Sequence, residues 1–149
     1  RVFIAGGTGA VGKRLVPLLA SAGHGVYATT RSSGKVDDLR RLGAEPVVLD
    51  ILDREAVEAA ITAARPEVIV HQATALAEMS DLRHFAEEFA QTDRLRTEGT
   101  DNLVAAATAS GVRRAKAALS SGCKSHPATA PAGSNRSSYG GNEMAEAFG

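Results

Sequence analysis

The stretch Val2-Phe3-Ile4-Ala5-Gly6-Gly7-Thr8-Gly9-Ala10-Val11-Gly12 admits few folds, because an apolar run empties into a glycine-rich turn and helix-forming residues follow at once. Val2 to Ala5 reads as a buried strand. Val11, Leu15, Leu18, Leu19 and Ala22 then recur at helical spacing, with Gly23 as a stop and Pro17 expected to bend the helix locally. Gly7, Gly9 and Gly12 satisfy G-x-G-x-x-G, and Gly6, Gly9 and Gly12 satisfy G-x-x-G-x-x-G. Either pattern is weak alone, but between a strand and a helix it specifies a turn that grips the diphosphate of a dinucleotide. A diphosphate needs unpaired N–H groups and the positive end of a helix dipole within reach. A Cβ at Gly7 or Gly9 would stand in its way, and Gly12 lets helix and strand pack closely. The competing reading is a tight strand-to-helix turn with no ligand.

Downstream the alternation continues. Val26 to Thr30 reads as a second strand, Lys35 to Leu42 as a short helix closed by Gly43, and Pro46 to Leu49 as a third strand. Asp53 is placed to cap a helix whose Ala56, Val57, Ala60, Ile61 and Ala64 form one stripe before Pro66. Val68-Ile69-Val70 is apolar throughout, as a central parallel strand should be, and a longer helix is expected from about Thr92 to Ser110, ended by Gly111. The pattern predicts an α/β fold with a Rossmann-type doubly wound parallel sheet.

After Arg114 the composition changes. Residues 115–149 contain no Val or Ile and are rich in Gly, Pro and Ser, so the sheet is expected to stop, incomplete, after the fourth strand. The expected division is a dinucleotide-binding domain over residues 1–114 and an irregular tail over 115–149.

The totals narrow the partners. Seventeen basic and seventeen acidic residues cancel, which removes the broad positive field of a nucleic-acid binder and gives no reason to invoke an anionic membrane. Cys123 is the one cysteine, so no internal disulfide can form, and four scattered histidines without matching carboxylates give no metal site. A reducing, cytoplasmic setting is expected, with a small-molecule substrate. The first residue, Arg1, suggests a trimmed chain or a piece of a longer one.

Cofactor type is read at the end of the second strand, where a carboxylate would bind the ribose 2′-hydroxyl of NAD. Here the residues are Thr29-Thr30-Arg31-Ser32-Ser33, with no carboxylate before Asp37. Arg31 in that place accepts a 2′-phosphate, so NADP(H) is favoured over NAD(H). The alternative is a solvated loop arginine.

Taken together, Gly6 to Gly12, Thr29 to Ser32, Leu49-Asp50-Ile51, Val70-His71-Gln72-Ala73-Thr74, Gly99-Thr100-Asp101-Asn102-Leu103 and Gly111-Val112-Arg113-Arg114 resemble the short-chain dehydrogenase/reductase superfamily. The nearer match is its extended and atypical branch of NAD(P)-dependent epimerase/dehydratase-like proteins. The resemblance implies that Asp50 lies beside the adenine with Ile51 near the ring, although Asp50 reads equally well as a loop residue starting the next helix. It also implies that Gln72, Ala73 and Thr74 run along the cofactor ribose. His71 reads as a strand-end histidine held by hydrogen bonds rather than a base.

Catalysis in this superfamily uses a Ser, a Tyr and a Lys four residues after the Tyr. The resemblance maps Ser121 and Tyr139 to the first two, but Glu143 stands in the lysine position. A carboxylate there raises a phenol pKa instead of lowering it. Three functional readings follow. The first is an NAD(P)-binding oxidoreductase domain. The second is a non-catalytic nucleotide-sensing or partner-binding module. The third is an incomplete piece of a longer enzyme, truncated or altered in frame after Arg114, whose open sheet edge leaves room for self-association.

Overall fold

The computed structural model describes residues 1–74 and 85–117. Five strands, β1 (Val2–Ala5), β2 (Val26–Thr30), β3 (Glu45–Val48), β4 (Val68–His71) and β5 (Arg114–Ala117), form one sheet in the order β3-β2-β1-β4-β5. Every pairing is parallel, from Val2 against Val26 and Val68 to Val68 against Arg114. Helices α1 (Gly12–Ser21), α2 (Val36–Arg41), α3 (Arg54–Ala64) and α4 (Phe85–Ala109) connect them. The order reverses at β1, so the chain goes outward to β3 and then crosses to β4, opening a crevice at the strand C-termini.

The two faces of the sheet are read from β1 itself. Phe3 and Ala5 point to one side and pack with Val57, Ile61, Leu95 and Leu103 from α3 and α4; Ile4 points to the other with Val16 of α1 and Leu39 of α2. Phe3 and Ile4 are both fully buried, as a strand covered on two faces requires.

Helix ends follow from local chemistry. The Asp53 side chain accepts from the Ala56 N–H at 3.1 Å and caps α3, as its position in the sequence predicts. After α1, His24 N–H reaches the Leu19 carbonyl at 3.1 Å and Gly23 N–H the Ala20 carbonyl at 3.0 Å. That paired closure repeats after α2, where Ala44 bonds Leu39 and Gly43 bonds Arg40. Gly23 and Gly43 stand at φ +83° and +88°, so the stop signals read from sequence work through left-handed backbone that glycine adopts without a Cβ penalty.

Two expectations need correction. The sheet does not stop after four strands: β5 pairs with β4 in parallel along its whole length. Its sequence, Arg-Ala-Lys-Ala, lacks β-branched residues, but it alternates. Ala115 packs against the core while Arg114 and Lys116 are exposed, and a neighbouring strand supplies the backbone partners that propensity alone does not forecast. The long helix also starts earlier than expected, at Phe85 instead of near Thr92. No glycine or proline interrupts residues 85–98, so the polar composition there does not stop a helix.

Candidate functional site

The crevice lies where β1, β2, β3 and β4 end, and the segment that follows each of them lines it. The first is the glycine turn. Gly6 N–H donates to Thr29 Oγ1 at 3.0 Å and Gly7 N–H to the Thr29 carbonyl at 3.0 Å, so β2 fixes the turn from beneath. Gly6 has φ +92°, and a Cβ there would sit 2.7 Å from the Ala73 backbone. Gly7 is buried, and a Cβ would meet Ala28 Cβ at 2.7 Å. Its bareness therefore serves packing against β2, which corrects the expectation that it clears a path for ligand. Gly12 is bare because any side chain would press on the Gly6 and Gly7 carbonyls.

Gly9 is different. An added Cβ would touch only the Gly6 oxygen, at 3.4 Å, so nothing in the fold forbids a side chain there. Val11 is the N-cap of α1 and gives it no side-chain cap. Among the described residues, the N–H groups of Ala10 and Val11 have no protein acceptor. Open space above Gly9 and unused donors at a helix start fit the diphosphate of a dinucleotide.

The second loop follows β2. Thr30 Oγ1 accepts from Ser32 N–H at 3.2 Å and bends the chain so that Thr30, Arg31 and Ser32 line the crevice. A short 3-10 turn, Ser33–Lys35, then brings Lys35 to the same rim. No motif in the sequence marks Lys35; its four-residue spacing from Arg31 is the signal that points to it. Asp50 is the only carboxylate lining the crevice among the described residues.

The third loop follows β3, with Leu49, Asp50 and Ile51 on the wall. Asp50 Oδ1 accepts from Leu52 N–H at 3.0 Å, and its carbonyl accepts from Asp53 N–H at 3.0 Å. The two readings of Asp50 thus coexist: it shapes the turn into α3, and it faces the crevice.

Gln72, Ala73 and Thr74 complete the wall beyond β4, with Leu95 of α4. His71, 4 % exposed, accepts from Ala73 N–H through Nδ1 at 3.2 Å. Its other nitrogen therefore carries the proton and donates to the Leu95 carbonyl at 3.0 Å. Burial holds the imidazole below its ordinary pKa, with the Arg96 charge adding to the effect and the Leu95 carbonyl opposing it. A neutral ring with both nitrogens committed to backbone is a strut, as its sequence position suggested.

Of the candidate residues, Gly6, Thr8, Gly9, Arg31, Asp50, Ile51, Gln72, Ala73 and Thr74 line the crevice. Gly7 lies under the turn, and Ala10, Val11 and Gly12 form its passage into α1. Ser121, Tyr139 and Glu143 lie outside the described residues. No cluster of three or more metal-ligating side chains occurs among the described residues, and none of their helices is long and apolar enough to cross a membrane.

A parallel sheet reversing at β1, with a glycine turn and open helix start at the reversal, defines a nucleotide-binding α/β domain. Known proteins give the class its family. Residues 2–141 match the model of the NAD dependent epimerase/dehydratase family, and the chain belongs to that family. A 3-diazoavenalumate denitrifying reductase from a Streptomyces species is 52% identical over 114 residues, which cover 76% of this chain and 36% of the reductase. The UDP-glucose 4-epimerase of Thermotoga maritima, solved with UDP-glucose, is 27% identical and superposes with a TM-score of 0.64 over 78% of this chain and 36% of its own. The Thermus thermophilus enzyme of the same name, solved with NAD, gives 0.63 at 25% identity, over 77% and 36%. The chain thus spans about a third of the length of these relatives.

Proposed function

We propose that this crevice holds NADP(H) and that the chain is the cofactor-binding part of a reductase. The observation carrying the reading is the pair of cations, Arg31 and Lys35, that line the rim where β2 ends. A guanidinium and an ammonium around Ser32 suit a ribose 2′-phosphate, whereas a 2′-hydroxyl calls for a carboxylate. The amides of Ala10 and Val11 would hold the diphosphate over Gly9, and Asp50 with Ile51 would flank the adenine. Gln72, Ala73 and Thr74 would follow the ribose toward the nicotinamide. When bound, the cofactor supplies the hydride; these side chains orient it. The 52% identical reductase favours reduction over epimerisation, and its named diazo compound is the substrate to try first.

Paired titration of the purified chain with NADPH and NADH tests the proposal. Binding of NADPH at least about tenfold tighter supports it, by analogy with other charge-assisted pairs. Equal or tighter binding of NADH overturns it. A second reading, a module that binds the cofactor without turnover, is favoured by Glu143, which stands where the family's lysine would be. If NADPH binds but neither the diazo compound nor simple carbonyls consume it, that reading prevails.

A further inference from the structure

One face of α4 is given over to the turn that follows β3. Asn102 Nδ2 donates to the Ile51 carbonyl at 3.0 Å and to the Leu52 carbonyl at 3.3 Å, across some fifty positions of sequence. Gly99, one helical turn earlier, is buried against the same turn, and a Cβ there would lie 2.6 Å from Ile51 Cδ1. Leu95, one turn earlier again, shares the core cluster of Ile51 and lines the crevice with it. Positions 95, 99 and 102 fall on one helical stripe. That stripe supplies an apolar wall, a gap and a double donor, all directed at residues 51 and 52.

The turn needs this support. Its own closure uses the Asp50 carboxylate, whose Oδ1 is occupied by the Leu52 N–H. Backbone carbonyls in a partly buried turn require donors, and Asn102 provides one amide group to two of them. Because Leu52 is held at its carbonyl by Asn102 and at its N–H by Asp50, movement at one end is felt at the other. Asp50 itself lines the crevice wall. Gly99 is costly in the middle of a helix, where alanine would be preferred, and the seating of Ile51 gives that cost a structural return.

We infer that Asn102 is a positioning residue for the adenosine end of the crevice, acting through the Ile51 and Leu52 carbonyls on the orientation of Asp50. The inference rests on the dinucleotide reading above.

The test uses the 149-residue chain with two probes, NADPH and adenosine 2′,5′-bisphosphate. Asn102→Ala is expected to weaken both by about tenfold and by the same factor, the order expected when one good hydrogen-bonded restraint is lost. In an Asp50→Ala background the same substitution should cost almost nothing further, since the group it orients is gone. Amide exchange at Leu52 should quicken in Asn102→Ala. An undiminished loss in the Asp50→Ala background, or unchanged affinity in Asn102→Ala, overturns the inference while leaving the dinucleotide reading intact. Failure of the wild-type chain to bind NADPH overturns both. Should Asn102→Ala not fold, Gly99→Ala reaches the same turn through Ile51 without removing a donor. It should quicken amide exchange at Leu52 and weaken both probes, and unchanged exchange and affinity in that variant sink the inference equally.

Discussion

His71 and Leu95 are joined across the crevice wall by a hydrogen bond of 3.0 Å, with the imidazole donating from Nε2 to the Leu95 carbonyl. The bond fastens α4 to the end of β4, and the opposite ring nitrogen receives the Ala73 N–H. The Ala73 connection requires an unprotonated Nδ1, whereas the Leu95 bond is kept in either charge state. Because burial depresses the His71 pKa, the unfolded chain takes up the proton more readily than the folded one. The stability this ring contributes is therefore fully present above the unfolded value of about 6.5 and lost as pH falls below it. Denaturant melts at several pH values should show wild-type stability declining through that window and His71→Gln declining less. Identical pH slopes would remove His71 as the cause.

Gly9→Val is expected to leave folding nearly intact, since the turn offers its Cβ no closer neighbour than the Gly6 oxygen at 3.4 Å. Affinity for NADPH and NADH alike should fall by about a hundredfold or more, because the added bulk occupies the diphosphate's approach. Gly7→Val inverts the pattern: its Cβ meets Ala28, so thermal stability falls first. A melting curve and one titration for each variant distinguish the two.

Arg31→Asp separates charge recognition from general positioning. NADPH binding should weaken by about tenfold or more, while NADH binding holds or improves, since a carboxylate there suits a 2′-hydroxyl. Lys35→Ala should show a milder loss in the same direction. Equal losses for both cofactors would remove the 2′-phosphate role.

Asp53→Ala removes the acceptor for the Ala56 N–H and should cost about 1 kcal/mol in chemical denaturation. Ile61→Ala, in the fully buried stripe of the same helix, should cost about 2–5 kcal/mol. A larger effect at the cap than in the core would contradict the packing described here.

The parts of this fold written locally were legible in the sequence. The strand before Gly6, the cap at Asp53 and the helix stops at Gly23 and Gly43 each depend on a few adjacent residues, and each stands where those residues put it. What escaped depends on distant partners. Strand β5 exists because β4 offers it a ladder, and the bare alternation of Arg-Ala-Lys-Ala is too weak a signal to announce it alone. Lys35 reaches the rim only through the 3-10 turn, and the task of Asn102 is visible only once α4 lies against residues 51 and 52. Gly7 teaches a subtler point: it belongs to the motif, yet Ala28 explains why it has no side chain.

Thr29 holds two successive glycine amides through its hydroxyl and its carbonyl, so the loop at the mouth of β1 takes its form from the strand below it. An incoming molecule need not mould that loop, and little conformational freedom is surrendered there on arrival. On the proposed reading, selectivity can then drift along the rim at Arg31 and Lys35 without disturbing the cradle at the centre.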